Sequence, residues 1–239
     1  MTTYLIEPRA QRSRLKRRSV PWLLGALLML LMPFTASAQN YDTPEEMVRE
    51  TSSAVLDLIE EARGYVDEDP ERFYRQVESV LLPVVDFQSF ARSVMAAHHR
   101  RATQEQRQRF VESFRSGLVR TYALALMEFK DGKVVVVPPD RPARDPARRT
   151  VRMEVHTAAG DVYPVLYSVT QGSDGDWQVR NLIVNGVNMG LTYRNQFNSA
   201  MNNPRHSGDI DSVIDAWADL LEAAAPDFEA GANDAGQGA

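Results

Sequence analysis

Residues 176–197, DWQVRNLIVNGVNMGLTYRNQF, decide the fold. Ser173-Asp174-Gly175-Asp176 is a turn, and Trp177, Val179, Leu182, Ile183 and Val184 are apolar β-formers, so a strand begins here. The run 182–184 is nearly continuous and predicts burial on both faces. Gly186 interrupts it, as a bulge or a close backbone approach does. From Thr192 to Met201, Tyr193, Phe197 and Met201 recur four residues apart, which predicts an amphipathic helix. A buried strand running through a glycine into a helix is the core of an α+β domain.

Working outward, the N-terminus carries a basic leader with Arg9, Arg12, Arg14, Lys16, Arg17 and Arg18. Val20 to Phe34 follows, apolar but shorter than the roughly 20 residues that span a bilayer. Ala36-Ser37-Ala38 is a small-residue A-x-A site, so residues 1–38 read as a secretory signal cleaved after Ala38. Arg17-Arg18 invites a twin-arginine reading, which the surrounding residues fit poorly. Cleavage removes six basic residues and one acidic residue (Glu7), which leaves a net charge of −10. So acidic a chain lacks the basic footprint that nucleic acid requires. It has no cysteine, hence no disulfide, thiolate nucleophile or Cys metal site. An exported, cysteine-free, soluble chain of this kind reads as periplasmic.

Helical signals fill the first half. Thr43-Pro44-Glu45-Glu46 pairs an N-cap with a proline at the first helical position and a capping-box Glu46. Met47, Thr51, Ala54, Val55, Leu58, Ile59 and Ala62 then form one stripe. Asp69-Pro70 opens a second helix to about Leu82, with Phe73, Val77, Val80 and Leu81 inward, and Pro83 breaks it. A third runs from Phe87 through Val94 and Met95. Thr103 and Gln106 cap a fourth, where Phe110, Phe114, Leu118, Tyr122 and Leu126 form an i, i+4 ladder beside Val111, Ala125 and Phe129. Four strands follow: Lys133–Val137 after Asp131-Gly132, Thr150–His156, Tyr163–Val169 after the Ala159-Gly160-Asp161 turn, and the 177–184 strand. Short turns join the last three, and the polar, proline-rich segment 138–148 precedes them. The four make an antiparallel meander. A last helix runs from Ile210 to about Ala224, and 225–239 is an Ala/Gly/Asp tail with the composition of disorder. The fold class is α+β: a twisted four-stranded antiparallel sheet wrapped by several helices.

Catalytic constellations are weak. His98 and His99 are adjacent on a helix and point about 100° apart, too far to share a metal. His156 ends a strand. Asp86, among Val84, Val85, Phe87 and Phe90, reads either as a general base with a raised pKa or as the N-cap of the helix at Phe87; the cap is the stronger reading.

Leu182-Ile183-Val184-Asn185-Gly186-Val187-Asn188-Met189 followed by Tyr193-Arg194-Asn195-Gln196-Phe197 resembles the "v-x-v-E-G-v-S … n-Y-R-x-Q-F" signature of the MlaC family, also called toluene-tolerance or Mla-pathway phospholipid-binding proteins. Leu81-Leu82-Pro83 with Asp86 resembles its "LLP-x-x-D" segment. Thr103, Gln106, Arg107, Phe110, Phe114 and Tyr122 match a third block, far from the first. Three positions depart: Asn185 and Asn188 stand where the family often has Glu and Ser, and Asn181 where it often has Asp.

The resemblance spans roughly Pro44 to Ala223 and implies one lipid-binding domain over 39–224, a nuclear-transport-factor-like cone with an apolar cavity. It implies a periplasmic carrier, not an enzyme and without a cofactor, moving glycerophospholipid between the outer membrane and an inner-membrane ABC transporter. The implied partners are that transporter complex with its MCE-domain ring and an outer-membrane lipoprotein–porin complex. The residues expected at the lipid are Val80, Leu81 and Val84; Phe90 and Val94; Phe114, Leu118 and Tyr122; Met153, Val155, Val165 and Tyr167; and Leu182, Val184, Val187 and Met189. The rival expectations are a ligand-free periplasmic adaptor and a small cone-fold enzyme using Asp86.

Overall fold

The computed structural model describes residues 41–127, 132–158 and 160–224. The expected leader and its A-x-A site, Phe129, Asp131, Ala159 and the 225–239 tail lie outside the described residues, as does the side chain of Ala125. Among the described residues no helix is long and apolar enough to cross a membrane.

Local capping chemistry sets the helix starts. Helix α1 (Pro44–Ala62) begins where Thr43 Oγ1 accepts the Glu46 N–H at 3.1 Å, while the Glu46 carboxylate accepts from Asp42 N, one residue before the expected partner. Helix α2 (Pro70–Leu81) is capped by Asp69, and α3 (Phe87–Met95) by Asp86. After a 3-10 turn at Ala96–Arg100, Thr103 and Gln106 form a reciprocal capping box, and α4 (Gln104–Met127) follows. Ion pairs Arg115–Glu78 and Arg120–Glu71, each 2.5 Å, tie α4 to α2.

The sheet is an antiparallel meander of β1 (Lys133–Val137), β2 (Arg148–His156), β3 (Val162–Gln171), β4 (Trp177–Val184) and β5 (Val187–Asn188) in sequence order. The fifth strand is the addition to the sequence reading. Asn185 and Gly186 both hold positive φ, 48° and 83°, so they form a type I′ turn, and Val187 pairs back on Val184. Gly186 is thus a hairpin turn and not a bulge. The bulge lies six residues earlier, where Asn181 pairs with Ser168 and Val179 with Val169, which leaves Arg180 extra. Leu182, Ile183 and Val184 are half-buried instead of buried on both faces, since Leu182 and Val184 line a cavity.

Helix α5 (Met189–Asn202) starts three residues before the expected Thr192, because Asn188 caps it by accepting the Leu191 N–H at 3.0 Å. Asn181 Oδ1 accepts the Gly190 N–H at 2.9 Å, and Asn181 Nδ2 donates to Asn188 Oδ1 at 3.0 Å. Gly190 admits this approach only without a side chain, since a Cβ there would lie 2.5 Å from Asn181 Oδ1. Two of the departures from the family motif are therefore a matched pair. In this chain residue 181 supplies the donor and residue 188 the acceptor. With Asp and Ser the polarity reverses, the hydroxyl donating to the carboxylate. Asn181→Asp alone sets acceptor against acceptor and should cost about 1–3 kcal/mol. Adding Asn188→Ser should recover most of that loss in a urea-unfolding double-mutant cycle. Additive losses would show that the two sites act separately.

The last expected helix is two, α6 (Ile210–Asp215) and α7 (Trp217–Ala224), broken at Ala216 (φ −88°, ψ 2°). The buried residues form three clusters. One joins α3–α7 around Phe110, Phe114, Phe197 and Trp217. One sets α1 on the inner face of the sheet through Met47, Val48, Val151, Met153 and Val165. One packs α1, α2 and α4 through Ile59, Phe73, Val77 and Val119.

Candidate functional site: an apolar cavity where the three clusters meet

Where these clusters converge they do not close. They leave a cavity of about 270 Å³ lined from α1 through α5, β3 and β4. Met47, Val48 and Thr51 contribute from α1, and Val77 and Leu81 from α2. Val84 and Val85 are placed by a bridge to β4, with Val179 N donating to Val84 O at 2.8 Å and Asp86 N to Val179 O at 3.0 Å. Phe87 and Phe90 enter from α3; Leu118, Val119, Tyr122, Ala123 and Leu126 from α4; Tyr167 from β3; Val179, Leu182 and Val184 from β4; Met189 and Tyr193 from α5. Among the described residues no lining residue is charged, and hydroxyls come only from Thr51, Tyr122, Tyr167 and Tyr193. Leu126, 37 % exposed, carries the lining out to the surface.

Of the residues expected at a lipid, Leu81, Val84, Phe90, Leu118, Tyr122, Tyr167, Leu182, Val184 and Met189 are brought together here. Seven are not. Val80 turns to a surface cleft between α1 and α2, because Val77 and Leu81 occupy the inward face of that helix. Val94 and Phe114 are fully packed in the helical cluster. Met153 is covered by α1, whose Ser52 hydroxyl lies 3.3 Å from its sulfur. Val165 is buried in the same cluster under α1, and Val155 packs at its edge. Val187, on the short β5, is 40 % exposed. The sequence does not reveal the α1 contribution of Met47, Val48 and Thr51, although Met47 and Thr51 belong to the legible α1 stripe. Periodicity shows that a stripe is buried, not what it is buried against. Tyr193, whose helical spacing predicts core, is both core and cavity wall.

The phenols lie in low-dielectric surroundings. Burial pushes Tyr167 up to about 12, and among the described residues its hydroxyl has only the Met153 sulfur within reach, at 3.9 Å. The Tyr122 and Tyr193 hydroxyls are hydrogen-bonded to each other. Burial raises both; the Tyr122 phenol and the shared bond raise Tyr193 further, while the bond eases Tyr122. A phenol whose folded pKa exceeds its unfolded value of about 10 adds stability that is whole below that pH and lost as pH rises through the folded value. For Tyr167 the window is about pH 10 to 12. Urea unfolding across it should lose on the order of 2 kcal/mol, and Tyr167→Phe should lose less.

The Asp86 carboxylate serves the cap. One oxygen accepts the Ser89 N–H at 2.8 Å and the other pairs with Arg180 at 3.1 Å. It does not line the cavity, although its neighbours Val85 and Phe87 do. His99 lies in the 3-10 turn, where burial, then Arg107 and Arg92, hold its pKa below the ordinary histidine value. Among the described residues no group of three or more His, Asp or Glu is placed to hold a metal.

The solved structure of a phospholipid-binding protein from Ralstonia solanacearum, in complex with a phospholipid, superposes with a TM-score of 0.65 at 25% sequence identity, covering 75% of this chain and 96% of that one. The toluene tolerance protein Ttg2D of Pseudomonas putida is 37% identical over 197 residues, 82% of this chain and 89% of the relative. The intermembrane phospholipid transport system binding protein MlaC of Haemophilus influenzae is 24% identical over 170 residues, 70% of this chain and 78% of the relative. The MlaC protein family model matches residues 49–219, from the second turn of α1 to α7, and so takes in every wall of the cavity except Met47 and Val48. On that extent of matching sequence and fold, the chain belongs to the MlaC protein family.

Proposed function

We propose that this chain is a periplasmic phospholipid carrier. It takes up glycerophospholipid with the acyl chains in the cavity and shuttles it between the outer membrane and an inner-membrane ABC transporter, so maintaining outer-membrane lipid asymmetry. The observation that carries this reading is the cavity's chemistry: a wall without a charged residue among the described residues, held open between three packed clusters. Empty apolar space costs about 24 cal/mol per Å³, so a cavity of about 270 Å³ left vacant would cost on the order of 6 kcal/mol. That rivals a typical domain's whole stability of about 5–15 kcal/mol. A hydrocarbon occupant offsets this cost, and the relatives' phospholipid names indicate its class. The volume lies just under the ~300–1,000 Å³ of pockets for drug-sized ligands, so a two-chain lipid requires the walls to part further.

Energetics favour docked transfer over release into water. Burying one methylene is worth ~0.8 kcal/mol, so about thirty are worth roughly 24 kcal/mol, beyond the ~18–21 kcal/mol at which non-covalent affinities saturate. Lipid therefore passes from one apolar site to another while the carrier is docked, on the transporter's MCE-domain ring at one membrane and on a lipoprotein–porin complex at the other. The acidic charge of the mature chain opposes direct adsorption to anionic membrane surfaces. Residues 1–38 direct export and are removed.

Native mass spectrometry of the mature protein, with organic extraction, tests this. A mass excess that matches phospholipid supports the carrier and counts the lipids held. A clean apo mass, unchanged after incubation with phospholipid vesicles and the transporter, would favour the adaptor reading.

A further inference from the structure

The tyrosine pair in the cavity wall offers a polar contact to an otherwise hydrocarbon site. Tyr193 on α5 is 1 % exposed and packed edge-on against Phe114, ring centroids 5.7 Å apart. Tyr122 on α4 is half-buried, and both line the cavity. Two phenols carry two O–H donors, and their mutual hydrogen bond uses one. Among the described residues the remaining O–H has no acceptor. A buried donor left unmade is unfavourable, and side chains that hold one in a packed interior normally have a partner. Either hydroxyl can be the donor within the pair; when the more deeply buried Tyr193 donates, the Tyr122 O–H is left to face the cavity.

The wall also dictates which acceptor fits. Among the described residues it holds no Lys, Arg or His, so a phosphate or free carboxylate drawn to this depth would be a buried charge with no counter-charge among them. A neutral carbonyl oxygen carries no such penalty. Among the described residues Thr51 Oγ1 is likewise buried without a hydrogen-bond partner, and the Tyr167 hydroxyl has only a weak sulfur acceptor. The polar groups of the wall are thus hydroxyls with an O–H left to donate, which the carbonyl of a neutral ester can accept.

We infer that Tyr122 donates a hydrogen bond to an acyl ester carbonyl of the bound lipid, so that the site distinguishes ester-linked from ether-linked chains and sets the depth to which the chains enter. The inference rests on the carrier reading above and adds to it a chemical preference that an apolar cavity alone would lack.

The test is competitive loading of delipidated mature protein. The two lipids are a diacyl phosphatidylglycerol, carbon-13 labelled at its carbonyls, and its dialkyl ether analogue of matched chain length. One hydrogen bond corresponds to a preference of roughly three- to tenfold for the diacyl lipid. The infrared band of the labelled carbonyl should split, one part moving to lower frequency. In Tyr122→Phe both lipids should load equally and the shifted band should vanish. Tyr193→Phe leaves the Tyr122 hydroxyl in place and should keep the preference. A diacyl preference unchanged in Tyr122→Phe, or lost only in Tyr193→Phe, would overturn the assignment to Tyr122. Equal loading of the two lipids by the unmodified protein would overturn the ester contact while leaving the carrier intact. Failure of the unmodified protein to load either lipid would overturn the carrier reading, and this inference with it.

Discussion

Val184→Trp should strip the protein of co-purifying phospholipid while leaving it folded. Val184 is half-buried on β4, paired with Val165 and Val187, and its side chain lines the cavity. An indole at this position projects into the space that acyl chains would occupy, and crowding a packed site typically costs 1–3 kcal/mol. Lipid occupancy in competition with unmodified protein should therefore fall about tenfold or more, as 1.4 kcal/mol is one decade in affinity. The lipid-free variant should melt no lower than lipid-free unmodified protein, because the indole fills space that is otherwise empty. That combination separates a blocked site from a folding defect, in which both quantities fall together. Ile183→Trp is the control. One residue along the strand, Ile183 points to the opposite face, pairs with Leu166 and is absent from the cavity wall. It should retain its lipid. Normal lipid content in folded Val184→Trp would remove Val184 from the site.

Trp217→Ala should be the most destabilising single change outside the cavity. Trp217 is fully buried at the start of α7, with Phe110 at 5.0 Å, Phe197 at 5.5 Å and Phe114 at 6.3 Å between ring centroids. Phe110 and Phe197 are in turn edge-on at 4.9 Å, so one residue completes a cluster drawn from α4, α5 and α7. Emptying such a site costs about 3–5 kcal/mol, a large share of the ~5–15 kcal/mol that holds a domain together. For a domain of this size that lowers Tm by roughly 6–20 °C. Trp217→Phe should cost much less, because the buried indole N–H has no hydrogen-bond partner to lose. A melting temperature that barely changes in Trp217→Ala would mean that α7 contributes little to the cooperative unit.

The two variants mark two uses of one α4 stripe. Phe110, Phe114, Leu118 and Tyr122 recur every four residues, and in sequence they are equivalent. In the fold, Phe110 and Phe114 meet α7 and α5 in a closed aromatic core, whereas Leu118 and Tyr122, one and two turns on, face the cavity. The same split occurs in the sheet. Met153 and Tyr167 both lie on the inner face, in adjacent strands, but α1 covers Met153 and leaves Tyr167 on the cavity wall.

What the sequence alone determined was local. Caps at Thr43, Asp69, Asp86 and Thr103, the apolar periods of α1 to α5, the four main strands and the family motifs are all set by residues within a few positions of one another. Capping bonds, helix periods and strand alternation are short-range, so they can be read without knowing the partner. Only the tertiary structure decided that Asn185-Gly186 turns back into a fifth strand, that Asn181 and Asn188 act as a pair, and which apolar faces touch and which stay apart. The hydrophobic effect removes apolar surface from water without specifying the apolar surface it meets. Whether the sheet and helices close into a core or hold a cavity therefore depends on how α1, α2 and α4 are braced against one another, by ion pairs and clusters made between residues far apart in the chain.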